Sequence, residues 1–132
     1  MLFRSNQLNL LQELRTAALL AKGINEDAAL LPAADALFMA TLGGARALGR
    51  GEDLGSLETG KKADMIAIRL DPLETSPVFD PISQIVYSAS REDITHVWVD
   101  GELLLDNRNP TRIDLPGLRF EIADWQRRLS AQ

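Results

Sequence analysis

The sequence predicts an α+β chain: helices first, then a small β-region, then one closing helix. Three observations predict it. Small and apolar residues recur at helical spacing up to Gly49. Alternating Ile- and Val-rich runs, two of them joined by Asp100-Gly101, take over from Met65 to Leu105. A second helical stripe spans Pro116 to Leu129.

The first helix is expected from Ser5 to Lys22, with Leu10, Leu14, Ala17, Ala18 and Ala21 on one face. Asn9 with Gln12 three positions on resembles a capping box, and Lys22-Gly23 reads as the stop. Ile24 to Leu31 is a polar connector. Pro32 opens a second helix at its first position, where a missing N–H costs nothing. That helix runs to about Leu48 and ends at Gly49, with a small-residue stripe of Ala36, Ala40, Gly44 and Ala47. Gly43 and Gly44 inside it should each cost about 1 kcal/mol relative to alanine, which close approach of another backbone would offset.

Gly49 to Asp64 is rich in turn residues. Met65 to Leu70 reads as a strand with Ile66, Ile68 and Leu70 on one face, stopped by Asp71-Pro72. Ile82 to Tyr87 is a short helix or an irregular segment. Ile94 to Val99 is a strand, and Asp100-Gly101 before Glu102 to Leu105 signals a two-residue hairpin turn. Asn107 to Asp114 reads as a loop. The last helix carries Leu118, Ile122, Trp125 and Leu129 at its apolar positions.

Composition excludes several functions. The chain has 132 residues, a net charge of -5 and no cysteine. No Lys/Arg run exceeds Lys61-Lys62 or Arg127-Arg128, so the footprint of a nucleic-acid binder is missing. Thiolate metal sites and disulfides are excluded. No apolar run reaches the ~18 residues of a membrane span, and no signal-peptide pattern opens the chain, which makes the cytoplasm the expected location. There is a single histidine, His96, and a metal hydrolase site commonly needs three protein ligands.

Each candidate for chemistry has a simpler structural reading. Gly55 to Lys62 fits G-x-x-x-x-G-K, but Lys62 stands where a phosphate loop needs Ser or Thr. The segment also follows a helix and leads into a strand, the reverse of a phosphate loop. Gly49-Arg-Gly51-Glu-Asp-Leu-Gly55 fails as a dinucleotide loop in the same way and reads as helix termination. His96 shares a strand face with Trp98 and has no second histidine to work with, so packing is the simpler account. Ser5 or Ser88 could be drawn into a triad with it, yet no nucleophile-elbow sequence surrounds either. The acidic pairs Glu26-Asp27, Glu52-Asp53 and Glu92-Asp93 sit in turns and read as solvated.

One stretch is more informative than these. Ala36 to Ile68, ALFMATLGGARALGRGEDLGSLETGKKADMIAI, resembles the amidohydrolase fold where its last barrel helix hands over to a small β-sandwich. Ser5-Asn6-Gln7-Leu8-Asn9-Leu10, then Gln12-Glu13-Leu14-Arg15 and Ala17 to Lys22, resemble the segment after the eighth barrel strand in 5-methylthioadenosine/S-adenosylhomocysteine deaminases. These belong to the TRZ/ATZ branch, with the triazine hydrolases. Asp80 to Ser90 and Val97 to Gly101 are again similar to that branch.

The resemblance implies a (β/α)8 barrel with a β-sandwich, and hydrolytic removal of a purine amino group by a metal-activated hydroxide. On it, residues 1–50 are the last barrel helices, 51–115 the C-terminal part of the sandwich, and 116–132 a terminal helix. The implied metal ligands are an H-x-H pair, two further histidines and an aspartate just before Ser5. The chain has Met1-Leu2-Phe3-Arg4 at that place, so no catalytic, cofactor-binding or metal residue is assigned to it. It is expected to be a truncated or assembly-edge fragment, inactive alone, whose partner is the missing N-terminal barrel. Zinc or a similar divalent ion and a purine nucleoside substrate belong to the intact enzyme, which a homo-oligomer would also suit. A triazine hydrolase, a guanine deaminase or a non-catalytic partner-binding module are the alternatives. Exposed apolar surface is expected on Leu10, Leu14 and Leu37.

Overall fold

The computed structural model describes residues 8–130. The first helix, α1, is Leu10–Asn25. It starts later than the Ser5 expected from the sequence, because Asn9 is its cap: extended in backbone, it accepts the Gln12 N–H on Oδ1 at 3.3 Å. Ser5 itself lies outside the described residues. The helix also runs past Lys22-Gly23. It ends at Glu26, in the left-handed region at φ 51°, while Lys22 Nζ donates to Ala28 O and Leu30 O at 2.8 and 2.7 Å. The connector is thus tied to the last turn by a lysine rather than by the glycine.

Pro32 precedes the next helix as its cap instead of opening it. α2 is Ala33–Phe38, continues through one widened π turn at Met39–Gly43, and resumes as α3, Gly44–Ala47. A π turn carries one residue more than an α turn, so the buried face steps by one position. Ala36 is buried and Ala40 partly so, but the next buried residue is Ala45, and the expected Ala47 is exposed. The mid-helix glycines are crowded by their own helix. A Cβ on Gly43 would lie 3.0 Å from Phe38 O, and one on Gly44 3.1 Å from Met39 O. The close backbone approach comes from elsewhere, at Gly55. A Cβ there would meet Leu42 Cα at 2.7 Å and Ala45 Cβ at 2.8 Å, and φ is +88°. The residue that must be bare is therefore Gly55 of the loop rather than a glycine of the helical stripe.

The helical core forms where α1 and α2 meet α4, Pro81–Tyr87, and holds Leu14, Ala18, Ala33, Ala36 and Val86. Asp80 caps α4, its carboxylate accepting the Ile82 and Ser83 N–H groups at 3.1 and 3.3 Å, with Pro81 at the first position. Leu14 is only 6% exposed because it faces this core, and Leu37 packs against it, so two of the three residues expected to be bare are covered. Leu10 is exposed as expected.

The second half is an antiparallel meander in the order β1-β2-β3-β4. Its strands are β1, Met65–Ile68, β2, Ile94–Val99, β3, Glu102–Asp106, and β4, Asn109–Pro110. Asp100 and Gly101 take φ 52° and 79°, the paired positive values of the expected hairpin turn. The expected loop from Asn107 is a second such turn. Asn107 and Arg108 sit at φ 43° and 67° and return the chain as β4, pairing Leu105 with Pro110. The β-branched signal was absent there, since β4 is only two residues long. α5, Leu115–Ser130, follows the sheet; none of its residues is buried, and it has no extended packing against another element.

Alanine at Gly55 adds both a left-handed strain and a clash with the π turn. Gly55→Ala is expected to lower unfolding free energy by about 2–4 kcal/mol. Gly60→Ala, at φ +94° with nothing within 4 Å, should lose only about 1 kcal/mol. Thermal and urea melts of both variants test the difference.

Candidate functional site

The two family-like motifs, Gln12 to Arg15 and Asp80 to Ser90, meet in space. Arg15 lies on the half-buried flank of α1 beside Leu14. Its Nε donates to Val86 O at 3.1 Å and its Nη2 to Ala89 O at 2.6 Å. The Val86 carbonyl lies in the last turn of α4, where backbone acceptors lack helical partners and the helix dipole favours a cation, and the Ala89 carbonyl follows just past the helix end. A groove of about 480 Å³ opens beside this contact, with Asn9, Gln12, Arg15, Thr16, Ser90 and Arg91 on its walls.

The groove offers hydrogen-bond donors but little acid–base chemistry. The carboxylate in its lining is Glu92, held below its ordinary pKa by the Arg91 hydrogen bond, so it stays ionised near neutrality and is a poor proton donor. Arg108 reinforces the same segment from the other side. Its Nη1 donates to Arg91 O at 3.2 Å and also to Glu92 O. Sequence reasoning missed both arginines. A cation at the border of a helix's apolar face was the available signal for Arg15; Arg108, at a positive φ in a turn, gave none.

The structure places the sequence candidates in structural roles. Lys61 of the G-x-x-x-x-G-K segment turns inward: Nζ bonds Gly51 O and Ser56 Oγ, each at 2.7 Å. Lys62 Nζ pairs with Asp100 Oδ2 at 3.0 Å, across to the β2–β3 hairpin turn. Neither is free to grip a phosphate. His96 stacks on Trp98, ring centroids 5.5 Å apart at 11°. Its Nδ1 is 2.9 Å from Thr95 Oγ1 and its Nε2 3.2 Å from Asp106 Oδ1. A bulge in β2 at Thr95 brings that hydroxyl beside the ring, since regular alternation would place neighbours on opposite faces. Ser88 sits at the C-terminal end of α4, remote in role from any base.

The acidic pairs are likewise used locally. Asp53 is held below the usual carboxylate range by its hydrogen bond to Arg50, whose own pKa rises in turn. Asp93 caps the turn that Ser90 opens, accepting the Ser90 N–H at 2.8 Å. Asp27 Oδ1 accepts the Ala29 N–H at 2.8 Å. Among the described residues no three His, Asp or Glu side chains gather as metal ligands would, so they do not fit a resident divalent ion. No described helix is long and apolar enough to cross a membrane.

Residues 4–104 match the family model described as "Amidohydrolase family". The chain is 41% identical over 128 residues to a 5-methylthioadenosine/S-adenosylhomocysteine deaminase of Teredinibacter turnerae, covering 97% of this chain and 29% of that protein. It is similar to the crystal structure of a zinc-bound adenosine deaminase from Xanthomonas campestris, with a TM-score of 0.87, 42% identity, and coverage of 93% of this chain and 28% of that one. The zinc complex of atrazine chlorohydrolase from Arthrobacter aurescens TC1 gives a TM-score of 0.77 at 34% identity, covering 86% and 25%. The chain thus spans under a third of the length of these relatives.

Two outcomes follow from the site. Arg15→Met, which keeps the aliphatic stem but leaves the Val86 and Ala89 carbonyls without their donor, should lower unfolding free energy by about 1–3 kcal/mol, and Arg15→Lys should recover part of it; chemical denaturation checks both. Asp80, Asp53, Glu58 and Glu92 all have pKa values lowered in the fold, Asp80 chiefly by the Ser83 hydroxyl. Lowered carboxylates stabilise the fold above their unfolded values near about pH 4, and that contribution is lost as pH falls through the folded values. Asp80→Asn still caps α4 but cannot titrate, so its stability should fall less steeply below about pH 4 than that of the parent; urea melts across that range measure it.

Proposed function

This chain belongs to the amidohydrolase family, and we propose that it is the C-terminal part of a metal-dependent hydrolase acting on non-peptide C–N bonds. In its intact form the enzyme deaminates 5-methylthioadenosine and S-adenosylhomocysteine. The observation that carries this reading is the near-complete overlap of the chain with one short stretch of proteins so named. In this reading residues 1–50 are the last barrel helices, 51–115 the C-terminal sandwich part and 116–132 a terminal helix. The preceding barrel is the partner, and it carries the divalent ion and the purine pocket. The enzyme works in the cytoplasm.

The chain's own contribution is scaffold. Its cations hold loops and helix ends, its histidine is stacked and paired, and its carboxylates cap or pair locally. None is poised to reach a substrate. The chain by itself is therefore inactive. A triazine hydrolase is the second reading, favoured by the likeness to the chlorohydrolase structure.

The test is complementation. The chain is co-expressed with the preceding part of the Teredinibacter turnerae relative, cut where the similarity begins, and supplied with zinc. Ammonia release from 5-methylthioadenosine is expected from the pair and not from this chain alone. Turnover by the chain alone would overturn the inactivity. A pair that dechlorinates triazines while leaving the nucleoside untouched would overturn the substrate.

A further inference from the structure

The turn between β2 and β3 carries a chemistry of its own. Asp100-Gly101 is the one Asp-Gly pair of the chain, and no Asn-Gly pair occurs. An aspartate carboxyl lies one five-membered ring away from the next main-chain nitrogen, and a following glycine puts no side chain in the way of that nitrogen. Three contacts grip the pair in the fold. Gly101 N–H donates to Ala63 O at 3.1 Å, Asp100 N–H donates to Asp64 Oδ1 at 2.6 Å, and Lys62 Nζ donates to Asp100 Oδ2 at 3.0 Å. The three partners are consecutive residues leading into β1. The Asp100 side chain is nonetheless 65% exposed, so water reaches it.

We propose that Asp100 is a site of spontaneous isomerisation to isoaspartate, held shut by these three contacts and opened when the turn detaches from residues 62–64. In the first step Gly101 N attacks Cγ of the protonated Asp100 carboxyl. The new C–N bond closes a succinimide, and the amide proton leaves with the side-chain hydroxyl as water. A second water then adds at the Asp100 main-chain carbonyl carbon and breaks its bond to Gly101 N, which takes a proton back. The chain now runs through Cβ and Cγ, with no net change in mass. The folded turn cannot start this sequence. Asp100 and Gly101 sit at φ 52° and 79°, and a type I′ turn sets the first ψ at about +30°. That ψ holds Asp100 Cβ nearly opposite the Gly101 nitrogen, whereas the ring needs the two eclipsed. Rotating the peptide plane to eclipse them breaks the Gly101–Ala63 hydrogen bond. The product cannot close the turn again. It adds a backbone carbon to a two-residue turn that sets Val99 against Glu102, so the register of β2 with β3 is lost.

The test ages the full chain in warm, mildly acidic water enriched in heavy oxygen. Each passage through the succinimide leaves one heavy oxygen at Asp100, which fragment mass spectrometry locates. The folded chain is expected to react at least about tenfold more slowly than a peptide of residues 97–104, which is too short to hold a hairpin. Asp64→Ala and Lys62→Met should each speed the folded chain about two- to tenfold, since each removes one tie on the turn. Arg15→Met loosens the helices and not the turn, so it should leave the rate unchanged. Equal rates in chain and peptide, indifference to both turn variants, or an equal acceleration by Arg15→Met overturns the gating. The isomerised chain, separated by ion exchange, is expected to lose amide-exchange protection in β2 and β3 while keeping it in α1. Protection retained in both strands overturns the loss of register.

Discussion

The Arg15 clasp is the contact on which the arrangement of this chain depends. It joins α1 to the end of α4 across more than seventy positions of sequence. Between them lies a core made mostly of alanine, with Leu14 and Val86 as its largest buried apolar members. Alanine–alanine contacts bring backbones close but bury little apolar area, so the hydrophobic term alone is modest. A charged donor on two unpaired carbonyls supplies direction as well as energy. It fixes how far α4 slides along α1, and from Ala89 the chain passes through the Ser90 turn into β2.

Much of this was legible because it rests on local chemistry. Asp100-Gly101 needs positive φ at two positions, and few other residues tolerate it. Gly49 ends its helix in the left-handed region, at φ 71°, for the same reason. The closing helix matches its apolar spacing almost to the residue. What misled were signals whose outcome depends on distant groups. Gly23 reads as a stop, yet a helix tolerates one glycine when a lysine has already secured the next loop. The stripe through Ala47 assumed an unbroken 3.6-residue period, and the π turn at Met39–Gly43 shifts it by one. Leu14 was expected bare on the premise that α1 had lost its neighbours, whereas α4 returns from beyond Ser76 to cover it. The short β4 lacks every strand signal because its partner β3 imposes its conformation.

Reading the candidate site was easier by elimination than by assignment. A lysine after Gly60, a histidine in a strand and three acidic pairs each suggested chemistry in isolation. The structure gives each a partner close in space: Lys61 with a carbonyl and a hydroxyl, His96 with Thr95, Trp98 and Asp106, Asp93 with Ser90. A side chain whose donors and acceptors are already matched cannot also bind or activate a substrate without giving something up. On the proposed reading the reacting groups belong to the preceding barrel, and this stretch flanks them.

The cations share a habit. Arg15, Lys22, Lys61 and Arg108 all donate to main-chain carbonyls: those of Val86 and Ala89, of Ala28 and Leu30, of Gly51, and of Arg91 and Glu92. An ion pair is written into two codons, and either can be lost or compensated by the other. A clasp on a carbonyl is written into one, because every residue type presents the same acceptor. Substitution at Val86 or Ala89 leaves Arg15 its oxygen, whereas an insertion or deletion nearby moves it out of reach. Selection on these contacts would leave no correlated changes between paired positions, only a fixed cation and a fixed spacing.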